Sequence, residues 1–305
     1  MVGLDDLLTA VRAVVLVGGF AYASVADLRA REVSDGLWQV LAAAGVVLGF
    51  VALVPGGELA VALWALVAAF AFEHLLPWDD ALGERHAGKV VWIELAVYLT
   101  VIGVVVGAAV RWGVGPSSVP IDVVAALASI VVARILFEAG VLYGGADAKA
   151  LIVVGVLLPV FAAPYLYAPV LQAPLLARLP FSITLLTNAA LLSLAVPVAI
   201  ALRNAARGEF TVARGFTGYT LDVRELPRRF VWVRDPVLGE DTYEHDTETS
   251  EEDARERSRI ATELEARGVQ RVWVSPQLPF LVLMAAGAFA GLLAGNLLLD
   301  LFTAL

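Results

Sequence analysis

The sequence predicts a polytopic α-helical membrane protein of about eight transmembrane helices, with a small α+β cytoplasmic domain inserted before the last helix. Three observations predict it. Hydrophobic residues make up 60% of the 305 positions, charged residues only 17%, and the mean hydropathy is +0.81. Such a chain has too little polar surface for water but suits a bilayer. Apolar runs long enough to cross roughly 30 Å of hydrocarbon, about 17–25 residues each, recur along nearly the whole chain. One long polar stretch, 203–277, interrupts them near the end.

The runs fall at about 7–26, 36–54, 59–76, 90–110, 121–142, 148–168, 181–202 and 278–303. The first is expected to stay in the protein rather than act as a cleavable signal. Asp5 and Asp6 precede it instead of a basic region, and no small-x-small cleavage site follows. The sixth is the least regular, because Pro159 and Pro164 interrupt it. These spans give a transmembrane domain (1–202), a cytoplasmic domain (203–277) and a last membrane helix (278–305). In the cytoplasmic domain, Glu209–Arg214, Tyr219–Val223, Phe230–Arg234 and Gln270–Val274 alternate as short strands do. Glu251–Arg267 reads as a solvated helix with acid–arginine pairs three and four residues apart.

Charge sets orientation and narrows chemistry. Arg29, Arg31, Arg85, Lys89, Lys149, Arg203, Arg207 and Arg214 all fall on one side by parity of the spans, against Arg111 and Arg178 on the other. The positive-inside rule makes the richer side cytoplasmic and both termini external. The net charge of −9 argues against nucleic acid as a partner. Surplus carboxylates, with lysine only at 89 and 149, match the composition of haloarchaeal proteins. Absence of cysteine excludes disulfides, thiolate zinc sites and cysteine nucleophiles. His74, His86 and His245 lack metal-site spacing, and no Gly-x-Ser-x-Gly elbow is present.

Two aspartates stand out. Asp27 ends the first span, and Asp147 follows the fifth in Gly144-Gly145-Ala146-Asp147-Ala148-Lys149. Four spans separate them, so parity puts both at the cytoplasmic boundary. Two carboxylates brought together there share a proton, one serving as base toward water and the other as acid toward a carbonyl oxygen. The glycines permit tight turns and close approach of a peptide. Arg29 and Lys149, each two residues beyond its aspartate, are expected to stabilise negative charge and anchor the helix ends.

The Gly144–Asp147 run resembles the Gly-x-hydrophobic-Asp motif of the archaeal preflagellin peptidases and type IV prepilin peptidases. Asp27-Leu28-Arg29-Ala30-Arg31-Glu32-Val33-Ser34-Asp35-Gly36-Leu37-Trp38 looks like that family's first motif, and Trp273-Val274-Ser275-Pro276-Gln277-Leu278-Pro279-Phe280 is similar to the entry to its last helix. The resemblance implies an aspartic endopeptidase of the archaellum type, with Asp27 and Asp147 as catalytic pair. It implies support from Gly144, Gly145, Ala146, Lys149, Arg29, Arg31 and Asp35. It also implies preflagellin- or prepilin-like precursors as substrates, processed at the plasma membrane without metal or organic cofactor. Members of the archaeal branch have about six helices and a shorter gap between their aspartates, so this chain carries an extra helix pair within about 70–118. The cysteine-rich segment of many bacterial relatives is missing, so their N-methyltransferase activity is not implied.

Blander roles are expected elsewhere. Asp35 is expected to N-cap the second span, Arg134 and Glu138 to pair along one helix, and Asn188 and Asn296 to hydrogen-bond between helices. Glu94 should make an internal polar contact. Glu73 and His74 should be interfacial, and Asp79 and Asp80 solvated. The rival functions are an ion- or proton-coupled carrier using Asp27, Glu94, Glu138 and Asp147, and a non-catalytic membrane assembly subunit.

Overall fold

The computed structural model describes residues 3–75, 87–115, 119–142, 144–161, 179–234 and 250–304. In chain order its elements are α1 (Leu4–Ala30), α2 (Asp35–Leu53), α3 (Glu58–Leu75), α4 (Ala87–Trp112), α5 (Ile121–Glu138), α6 (Gly145–Leu157), α7 (Phe181–Ser193), α8 (Ala195–Ala206), β1 (Tyr219–Asp222), β2 (Val231–Val233), α9 (Ser250–Ala266), β3 (Arg271–Pro276), α10 (Phe280–Ala294) and α11 (Leu297–Ala304). Asp79, Asp80, Arg85, His86, Pro164, Arg178 and His245 lie outside the described residues. Among the described residues, five helical segments are long and apolar enough to cross a membrane. They are Leu4–Ala30, Asp35–Gly56, Glu58–Leu75, Leu95–Trp112 and Phe181–Ala206.

Three of the expected spans are interrupted, each for a local reason. α6 stops at Leu157, because a residue two positions before a proline sits beside backbone forced out of the helical region. The chain then runs through Pro159, whose carbonyl accepts the Phe181 N–H at 2.9 Å. The 181–202 span breaks at Leu194, just ahead of Pro197, whose missing N–H cannot bond back to Ser193. The last span breaks at Gly295, where φ is 85°, and Asn296 caps the next helix by accepting the Leu299 N–H at 3.1 Å.

The chain divides into two compact units. The first comprises Met1–Asp27, Val33–Ala190 and Phe280–Leu305. At its centre is α6, packed against α2, α3, α5 and α10. Every residue from Ala150 to Leu157 is buried. A helix that is apolar on all sides belongs inside a bundle, which α6 illustrates. Small residues let its neighbours approach. A methyl at Gly45 would come within 2.7 Å of the Leu157 backbone, and one at Gly155 within 2.3 Å of Ser129 Cβ. Several polar groups inside the bundle find partners. Ser129 and Ser182 share a 2.7 Å hydroxyl bond. Asn188 donates to the Gly287 and Gly295 carbonyls at 3.3 and 2.9 Å and accepts the Leu297 N–H at 2.9 Å. Asn296 donates to Thr187 at 3.0 Å. Arg134 and Glu138 pair at 2.7 Å, as their spacing predicts.

The second unit comprises Leu28–Glu32 with Leu191–Pro279. Its antiparallel sheet has the order β1-β3-β2, with Leu221 opposite Val272 and Val233 opposite Val274. Val231, Val233, Val272 and Val274 point to one face, where α9 supplies Ile260, Ala261 and Leu264. α9 keeps the solvated face its charge run predicts and buries a stripe of Ile260, Ala261 and Leu264 on the other. One sequence expectation is corrected here: Glu209–Arg214 is not a strand. Gly208 at φ 66° ends α8, and Asn204 donates to the carbonyls of Gly215 and Gly218, folding the segment into turns.

Candidate active site

Both motif aspartates belong to the first unit. Asp27 is half-buried in the last turn of α1. Asp147 is the third residue of α6, so the most enclosed helix of the bundle presents it at its N-terminal end. Its N–H donates to the Gly144 carbonyl at 3.0 Å, closing the first helical turn. The carboxylate folds back over Gly144, and a methyl at position 144 would lie 3.0 Å from Asp147 Oδ2. That contact is tighter than ordinary packing and gives Gly144 a specific reason to lack a side chain. Gly145 faces open space instead, and a methyl there would meet nothing. Ala146 packs against the bundle core.

Electrostatics single out Asp147. Burial raises its carboxyl from the ordinary 3.8 to about 7, and the charge of Asp27 pushes in the same direction. The two aspartates, 120 positions apart in sequence, therefore act on each other. A carboxyl that titrates near neutrality beside a second carboxylate can hold or release a proton under ordinary conditions, which is what acid–base chemistry on an amide requires.

The supporting residues divide. Lys149 reaches Asp35 at 2.6 Å, tying the N-terminal turns of α6 and α2 together. Asp35 was expected to cap α2. Ser34 does so instead, its hydroxyl accepting the Gly36 N–H at 3.3 Å, which leaves Asp35 in the first turn to bind Lys149. A serine one residue upstream offers an equal capping oxygen, and the lysine decides between them. Arg29 is exposed. Arg31 belongs to the second unit, where it donates to the Gln277 carbonyl at 2.7 Å. Among the described residues no group of three or more acidic or histidine side chains is arranged to hold a metal ion.

Two polar clusters escaped the sequence reading. Arg12, in the third turn of α1, is 6% exposed and donates to the Leu48 carbonyl at 3.1 Å. Its charge and that of Asp122 act on each other, and Asp5 and Asp122 line a cavity of about 590 Å³ with Pro55, Val114 and Pro120. An arginine inside an apolar run was the available signal. His74, expected to be interfacial, has a side chain only 6% exposed. It meets the Phe70 carbonyl and Glu73 through Nδ1 and the Tyr98 hydroxyl through Nε2, pinning α3 to α4. Its partner lies on the next helix, and no sequence pattern announces it.

No protein-family model matches the chain, and no curated protein matches it.

Proposed function

We propose that this chain is a membrane aspartic endopeptidase that removes the leader of preflagellin- or prepilin-like precursors, with Asp27 and Asp147 as its catalytic pair. One observation carries the reading: Asp147, at the N-terminal end of the central helix, titrates near 7 because it is buried and because Asp27 bears on it. A pair of carboxylates that shares one proton supplies both parts of amide hydrolysis. The ionised member takes a proton from water as its oxygen attacks the scissile carbonyl carbon. The protonated member, Asp147, gives its proton to the carbonyl oxygen. Collapse of the resulting diol returns that proton to its carboxylate, breaks the C–N bond, and delivers the other proton to the leaving amine. The dyad ends as it began.

The motif resemblance supplies the substrate class. A substrate helix lies in the bilayer while its short basic leader stays at the surface, next to the dyad. Eight spans with the polar domain and both aspartates on the cytoplasmic side satisfy the arginine and lysine distribution of the loops. The Lys149–Asp35 bridge fixes the turn that carries Asp147.

The test is leader cleavage in membranes by wild type, Asp27→Asn and Asp147→Asn at matched expression. Each replacement is expected to lower cleavage by about 10²–10⁴-fold or more while the protein remains inserted. Cleavage by both variants at the wild-type rate would leave the reading without a mechanism. The carrier alternative draws on a separate observation, the buried Arg12 beside Asp122. It calls for proton or ion flux in vesicles that Arg12→Gln abolishes and Asp147→Asn leaves partly intact.

A further inference from the structure

The segment after α8 exposes apolar side chains from a tightly bonded turn. Gly208 ends the helix at φ 66°, and the chain folds back over the helix's last turn. Buried Asn204 donates to the Gly215 and Gly218 carbonyls at 2.9 and 2.7 Å. Its own carbonyl accepts the Glu209 N–H at 2.9 Å, and the Gly215 N–H donates to the Thr211 carbonyl at 2.7 Å. A methyl at Gly215 would lie 2.6 Å from the Phe210 ring, so glycine is what lets that ring close over the turn. The rings of Phe210 and Phe216 then meet edge to face, their centres 5.4 Å apart. Both phenylalanines are nevertheless exposed, and Val212 is 83% exposed. An ordered turn that holds three large apolar groups outward calls for a surround other than water.

Position and charge identify that surround. α8 closes the candidate membrane span Phe181–Ala206, and Leu194, Val198 and Leu202, four apart, run along it as an exposed stripe. At most about 20 Å of extended chain separates Ala206 from Val212, and the Asn204 bonds draw the turn back to the helix end. Within residues 203–218 three arginines face one glutamate, in a chain whose net charge is −9. Arg207 and Arg214 are exposed. Arg203 lies 3.8 Å from the centre of the Tyr219 ring, and the charges of Arg207, Arg271 and Glu209 act on it. The Glu209 carboxylate is held by the Thr220 hydroxyl at 2.6 Å and by Arg271 at 2.7 Å. We propose that residues 203–218 are a membrane foot of the polar unit: Phe210, Val212 and Phe216 seat at the headgroup level of an anionic leaflet, and Arg207 and Arg214 pair with its phosphates. Aromatic rings and arginines just beyond the end of a span suit that layer, where one end of a group is apolar and the other wet. The proposal rests on the chain spanning a membrane and not on the peptidase reading.

The test uses the full chain in lipid nanodiscs. Because the chain has no cysteine, Val212→Cys and, as control, Thr262→Cys on the solvated face of α9 can each carry a single environment-sensitive fluorophore. Lipids brominated near the headgroup end of their chains should quench the label at 212 and spare the label at 262. Adding about one third phosphatidylglycerol to phosphatidylcholine should increase that quenching at about 0.1 M salt. Arg207→Gln with Arg214→Gln should abolish the increase, each arginine contributing about fivefold to affinity for an anionic surface. Above about 1 M salt the increase should shrink while quenching by neutral lipid persists, since screening then acts within about 3 Å. Phe216→Ser should lower quenching in both lipids. Equal and weak quenching at 212 and 262 would overturn the foot. A blue-shifted label at 212 that lipid does not quench would overturn it too, because a protein then covers the patch, a second copy of this chain included. Identical quenching in neutral and anionic discs at low salt would overturn the pairing with phosphates. If Phe216→Ser does not fold, the two arginine replacements decide, both being at exposed positions.

Discussion

Asp147 sits where three separate demands meet: it begins the most buried helix, it lies over a glycine, and it faces the influence of Asp27. Its carboxyl, raised to about 7, binds protons in the folded state that the unfolded chain has already released. Stability therefore falls as pH rises from about 4 to about 7 and levels off above, because ionising the buried group costs more in the folded state. Asp147→Asn removes that cost. Unfolding in detergent should show the variant more stable than wild type at pH 8, by about 2 kcal/mol once solvent screening is allowed for, with no difference below pH 4. Asp27→Asn removes one of the two causes, so the Asp147 carboxyl band in infrared titration should shift to lower pH without reaching the ordinary value, burial being unchanged. On the proposed peptidase reading, cleavage by wild type should decline as pH rises through about 7, where the proposed acid loses its proton. Gly144→Ala puts a methyl 3.0 Å from the carboxylate and, on the proposed reading, should reduce cleavage while the helix content is retained. The motif aspartates and glycines were legible in the sequence because a short pattern carries them. The choice of Ser34 over Asp35 as cap was not, since it depends on a lysine more than a hundred positions away.

Among the described helices, five segments are long and apolar enough to cross a membrane, and proline or glycine stands at or near the breaks of three expected spans. The interruptions at Leu157, Leu194 and Gly295 were only partly anticipated, because a hydropathy pattern counts residues without asking where their N–H groups bond. Asn188 shows what the pattern leaves out. It closes three backbone bonds with α10, the Gly295 break and the start of α11, all in a bundle where water cannot substitute. Asn188→Ala should cost about 1–3 kcal/mol of unfolding free energy, more than Asn296→Ala, which strands fewer buried groups. In the second unit, Ile260→Ala on α9 should cost about 2–4 kcal/mol, because it removes part of the single apolar stripe covering the sheet. Charge alternation gave α9 its solvated face, while the stripe of Ile260, Ala261 and Leu264 was hidden among its arginines and glutamates. Strand alternation misled at Glu209–Arg214 for the opposite reason: the period was right, but among the described residues no strand pairs with it, and Asn204 bonds the carbonyls of Gly215 and Gly218 in the turns that follow.

Taken as one chain, the protein places its acids and bases unevenly, and the side on which Lys149, Arg203, Arg207 and Arg214 fall is open to a direct check. Single cysteines at Thr262 and Val54 should react with an impermeant reagent from opposite sides of sealed vesicles, Thr262 from the cytoplasmic face. Reaction of both from one side would remove the eight-span arrangement. The sequence by itself determined the helical, apolar character of the chain, its apolar segments and the two aspartates worth naming, because each of those is a local property of composition or a short run. Tertiary structure alone decided that Asp27 acts on Asp147, that Lys149 goes to Asp35, that His74 meets Tyr98, and that Arg31 is held by Phe230 and Gln277. Electrostatic and hydrogen-bond partners act over a few ångströms, and only folding brings residues 120 or 246 positions apart within that range.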